Sequence, residues 1–81
     1  MVVWIEPWGQ DFWMRHNDAI TIEFDGAHFI EGMTHTNQPF DVYWDEDGMV
    51  VWVAAWDCSV RDQTGTELES GHQRPEDADR T

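Results

Sequence analysis

Apolar positions recur along this chain in short runs that alternate with polar ones instead of returning every three or four residues. Val2-Ile5, Phe12-Arg15, Ala19-Phe24, His28-Thr34, Phe40-Trp44, Met49-Ala54, Trp56-Arg61 and Thr66-Glu69 are rich in β-branched and aromatic side chains and are parted by Gly, Pro, Asn or Asp. That composition suits a pleated, half-buried surface. No window carries a sustained i, i+3, i+4, i+7 apolar stripe with caps, so little or no helix is expected. A spacing of roughly 8 to 12 residues predicts an all-β fold, a small antiparallel sandwich or barrel of about 7–8 short strands joined by hairpins.

The turns fix the expected pairing. Asp45-Glu46-Asp47-Gly48 reads as a four-residue loop with Gly in the left-handed conformation, which pairs Trp44 with Met49. Counting back by twos places Phe40, Val42 and Trp44 opposite Val53, Val51 and Met49, one wholly apolar face expected to be core. The other face sets Asp41 and Tyr43 against Trp52 and Val50, too apolar for a solvated surface, so a cover is expected. Asp62-Gln63-Thr64-Gly65 predicts a second hairpin between Val60 and Leu68. Asp25-Gly26 predicts a third, between Ile20-Phe24 and His28-Ile30. Consecutive, wholly antiparallel pairing follows. Residues 1–70 are expected to form one domain and residues 71–81 a polar C-terminal tail; the chain after Glu69 has no apolar anchor, and at least Glu76 to Thr81 is expected to be disordered or loosely attached.

Size and charge narrow the functions. A chain of 81 residues and 9.5 kDa permits a single core, which disfavours an elaborate active site. Arg15, Arg61, Arg74 and Arg80 face seventeen Asp and Glu, a formal net charge of −13. Direct binding of nucleic acid is excluded by repulsion. No apolar run approaches the ~20 residues of a membrane span, and the N-terminus lacks a secretory signal pattern, so a cytoplasmic protein is expected. The lone Cys58 makes no internal disulfide and gains no activating base from Asp57 and Ser59, so an inert thiol is expected. Lysine is absent, and dense carboxylates also serve solubility in high salt, which is a competing account of the acidity.

Candidate chemistry is sparse. His16, His28, His35 and His72 have no i, i+2 pair that one strand could present to a metal. His28 and His35 differ by an odd number and would point to opposite faces of a strand, so a His28, Glu31, His35 site would need assembly across loops. No metal and no cofactor is expected. A calcium loop starting at Asp45 would end on Trp56 instead of an acid. Nucleophile-elbow, phosphate-loop and paired-His motifs are missing, and an enzyme is not expected.

Six tryptophans exceed what so small a core can hide. Trp8, Trp13 and Trp52 are therefore expected at a contact surface, where Trp is enriched. The pieces Glu6-Pro7-Trp8-Gly9, Asp45-Glu46-Asp47-Gly48 leading into Val50-Val51-Trp52, and Ser70-Gly71-His72-Gln73-Arg74-Pro75 resemble those of a group of small acidic β-rich bacterial proteins. The resemblance implies an all-β fold and carries no functional residue. The leading expectation is a non-enzymatic binding protein of inhibitor or immunity type, its carboxylates imitating a phosphate backbone toward a basic protein partner. Its contact residues are Trp8, Trp13, Asp41, Tyr43, Asp45, Glu46, Asp47 and Trp52. Two alternatives stand beside it: a structural homodimer closed through Tyr43 and Trp52, and a small-ligand or metal-binding β module.

Overall fold

Val2-Val3-Trp4-Ile5 is apolar without alternation, the mark of a strand buried on both faces, and it lies at the centre of the larger sheet. The computed structural model describes residues 1–75, which form seven strands and no helix. They are β1 (Val2–Glu6), β2 (Gln10–Trp13), β3 (Ile20–Glu23), β4 (Phe40–Trp44), β5 (Gly48–Val53), β6 (Ser59–Asp62) and β7 (Glu67–Leu68). Sheet A has the order β2-β1-β5-β4 and sheet B the order β3-β6-β7. The fold is therefore a small all-β one of two antiparallel-dominated sheets. No helix among the described residues is long and apolar enough to cross a membrane.

The inner face of sheet A supplies most of the core. Val3, Ile5, Phe12, Val51 and Val53 join Ala55 and Val60 in one buried cluster, with Ile20, Ile22, Phe24, Met49 and Leu68 packed around it. Apart from Phe24 and Ala55, which lie just beyond β3 and β5, each is set by the two-residue alternation of its strand. The hairpins at residues 45–48 and 62–65 form in the expected registers, with Val42 opposite Val51, Trp44 opposite Met49 and Val60 opposite Leu68. In the second, Gly65 takes φ 87°, and Asp62 Oδ1 accepts from the backbone N–H of Thr64 at 2.8 Å and of Thr66 at 3.0 Å.

Four expectations are corrected. Pairing is not wholly antiparallel, because β1 lies parallel to β5 with Val2 beside Gly48 and Ile5 beside Val51. Gly48 is not left-handed. Its requirement is space, since a Cβ there would overlap the Val2 carbonyl oxygen. His28–Thr34 is not a strand and no hairpin forms at Asp25-Gly26, for β3 pairs with β6. The Asp25 side chain instead bonds the Ala27 N–H at 3.1 Å, a local turn that competes with a ladder. Glycine and asparagine at φ 81° (Gly32) and φ 55° (Asn37) keep the segment irregular.

The fourth correction concerns the inner face at β4. Val51 and Val53 are 4% and 0% exposed, but Phe40, Val42 and Trp44 are 51%, 43% and 73% exposed. Their parity is as expected, yet the buried cluster takes in residues of β1, β2, β5 and β6 and none of β4, which overhangs it.

Residues 69–74, the stretch that leads out of β7, fasten sheet B to the β2 edge of sheet A. Gly71 N–H donates to Asp11 O at 2.6 Å and Trp13 N–H to His72 O at 2.9 Å. Arg74 folds back onto Asp11 through Nε at 2.7 Å and through Nη2. Glu76 to Thr81, expected to be loosely attached, lie outside the described residues.

Candidate functional site

The β4–β5 hairpin brings the acidic turn and an aromatic anchor together. Trp44, the last residue of β4, stands 73% exposed over a shallow depression lined by Met1, Asp45, Glu46, Asp47 and Gly48. A tight turn holds the carboxylates there: Asp45 N–H bonds Gly48 O at 2.9 Å, Gly48 N–H bonds Asp45 O at 3.3 Å, and Asp47 N–H bonds Asp45 Oδ1 at 3.3 Å. An exposed indole that shares a depression with carboxylates suits an Arg or Lys side chain, which can gain ring-face attraction and charge pairing. Trp44 was hidden from sequence reasoning by its core parity. The signal that could have found it is its place as the last residue of a strand before an all-acidic turn.

Behind Trp44, on the inner face, Phe40 and Val42 line an apolar groove of about 270 Å³ with Ile22, Phe24, Met49 and Val51. Phe24 meets Phe40 edge to face, with ring centres 5.9 Å apart.

The outer face of sheet A carries the other expected contact residues. Asp41 pairs in register with Trp52 and Tyr43 with Val50. Asp41 is only 8% exposed. It accepts from Thr36 Oγ1, from Thr36 N–H at 3.3 Å and from Tyr43 Oη at 3.4 Å. The Thr36 hydroxyl bond, above all, holds the Asp41 carboxyl below its usual range, while partial burial and the Asp41 charge push the Tyr43 phenol up. His35 meets the Tyr43 ring edge-on at 5.9 Å. The irregular segment after β3 is thus the cover expected over this face, at its Asp41 end. Trp52 and Trp4 are half-buried beside it.

Trp13 and Trp8 are not gathered with the acidic turn. Trp13 is half-buried on β2, its Nε1–H donating to Asp11 Oδ2 at 2.7 Å. Trp8 is 39% exposed in the β1–β2 turn, at the opposite end of sheet A. Trp56 is 80% exposed on the link between the sheets.

Asp11 is strongly perturbed. The Arg74 guanidinium bonded to it lowers its carboxyl from 3.8 to about 2, with help from the Trp13 and Ser70 bonds and against the cost of burial. This group binds the chain to itself.

His16, His28 and His35 are exposed and His72 is half-buried. His28 Nδ1 lies 3.0 Å from Asp25 Oδ2. Among the described residues no group of three or more His, Cys, Asp or Glu is placed to hold a metal. Burial and the Asp57 charge push the Cys58 thiol up, which disfavours the nucleophilic thiolate. A second cleft of about 230 Å³ holds Asp18, Asp62 and His72, but its carboxylates are already engaged, Asp18 with Gln73 at 2.9 Å and Asp62 with Thr64 and Thr66.

Compared with protein-family models, curated proteins and solved structures, the chain matches none.

Proposed function

We propose that this protein is a cytoplasmic, non-enzymatic binding module that engages a basic protein partner in the manner of an inhibitor or immunity protein. The observation that carries the reading is Trp44, 73% exposed and set directly beside Asp45, Glu46 and Asp47. Between Arg15 and Arg61 the sequence has no Arg or Lys, so nothing basic on the hairpin competes for those carboxylates. A long-range negative field raises the rate of encounter with a positive surface, and a large exposed indole beside the acidic turn suits a residence-determining anchor.

The test begins with capture from the native host by the wild-type protein and by Trp44→Ala, followed by purification of whatever basic protein only the wild type retains. Kinetics with that purified partner should show association slowing markedly as salt rises toward 1 M, where the Debye length is about 3 Å. Capture of no basic protein in preference to the variant, or a salt-insensitive association, would count against the reading.

A further inference from the structure

Sheet A ends in a strand whose outer edge is unfilled. In the β4–β5 ladder Asp45 and Gly48 exchange both backbone bonds, and at the other end Ala54 N–H donates to Pro39 O at 2.9 Å. Antiparallel pairs alternate between bonded and non-bonded. Asp41 and Tyr43 therefore bond inward to Trp52 and Val50, while Phe40, Val42 and Trp44 turn their N–H and C=O groups away from β5. Among the described residues no strand lies beyond β4. Exposed strand edges are usually blunted by charged side chains, above all Lys, by Pro or by a bulge; Phe40 to Trp44 contain neither Lys nor Pro, their one charged residue, Asp41, is 8% exposed, and they pair with β5 without a bulge.

The side chains of the three outward-bonding residues are the overhanging ones, and they border the groove shared with Ile22, Phe24, Met49 and Val51. On the other face Asp45 continues the parity of Asp41 and Tyr43. The edge thus offers backbone bonds in its plane, an apolar trough below and the carboxylates of Asp45, Glu46 and Asp47 at the turn.

We propose that β4 accepts an extended segment of the partner as a fifth, antiparallel strand of sheet A, and that this segment alternates apolar and basic residues. Strand addition of this kind draws affinity from main-chain bonds and specificity from alternate side chains. The proposal rests on the basic-partner reading above. Charge decides the occupant: a second copy would bring another chain of net charge −13 and another Asp45-Glu46-Asp47 turn to the same edge, whereas a basic strand neutralises it.

The probe is the synthetic peptide Arg-Val-Arg-Val-Arg-Val-Arg, titrated into isotope-labelled full-length protein and followed by amide NMR and hydrogen exchange. A second peptide carries N-methyl groups on its three valines, the residues placed opposite Phe40, Val42 and Trp44. With the first peptide, exchange at the Phe40, Val42 and Trp44 amides should slow by about tenfold or more, and N-methylation should weaken binding by at least about tenfold. Equal binding of both peptides, with shifts confined to Asp45–Asp47 and the Trp44 indole, overturns strand addition and leaves the basic-partner reading standing. Binding of neither peptide also overturns it, the partner reading then resting on its own capture test. Protection of the three amides in the free protein, with light scattering at twice the monomer mass, makes the occupant a second copy and overturns it too.

Discussion

Gly48 and Asp11 show how single residues hold this small fold together for unrelated reasons. At Gly48 the parallel neighbour β1 sits so close that a methyl group has no room. Gly48→Ala should cost about 2–3 kcal/mol, as overpacking does, read as a lowered urea midpoint with an unchanged slope. At Asp11 the argument is electrostatic. Its carboxyl is held at about 2 against an ordinary 3.8 by Arg74, and its side chain is only 12% exposed. A depressed acid stabilises the folded state fully above its unfolded value, and that stability drains away as pH falls from about 4 toward 2. The linkage is worth about 2 kcal/mol. Asp11→Asn should therefore lower stability at pH 7 by about that much and flatten the acid limb between pH 4 and 2, measured by denaturation at each pH.

Among the elements, the hairpins closed by compact acidic or polar turns were legible in the sequence and β3's partner was not. Val42 opposite Val51 and Val60 opposite Leu68 follow from parity counted outward from a local turn. β3 meets β6 only after 35 intervening residues, and no local signal specifies so distant a mate; Asp25-Gly26 suggested a nearer one. The parallel β1–β5 contact was illegible for the same reason, although the unbroken Val2-Ile5 run already marked β1 as central. Of the candidate site, the acidic turn could be read directly, but Trp44 could not be told from Val51, because parity names a face and not how far the opposing sheet extends over it. Val51→Asp should test the covered part of that face: an unpaired carboxylate at a position 4% exposed costs on the order of 4 kcal/mol or more, so calorimetry should show no cooperative transition. The same change at Val42, 43% exposed, should leave a cooperative unfolding transition.

At the scale of the whole molecule the carboxylates and the indole should separate in kinetics. Neutralising Asp45, Glu46 and Asp47 together should chiefly slow association with the basic partner, and Trp44→Ala should chiefly speed dissociation, by about 2 kcal/mol. Surface-bound kinetics at two salt concentrations distinguishes the two, and a salt-independent on-rate for the wild type would contradict the assignment. The segment over residues 69–74 has a further consequence for such assemblies. It hydrogen-bonds the outer side of β2, so among the described residues the open edge of sheet A is β4. A sheet with one reactive end has a valency of one: it terminates a growing ladder and cannot propagate it. Complexes formed through this edge should accordingly be discrete and of fixed stoichiometry, and releasing the segment, as by Arg74→Ala with Ser70→Ala, should open the β2 edge to a second basic strand, which light scattering would read as two bound segments per molecule in place of one.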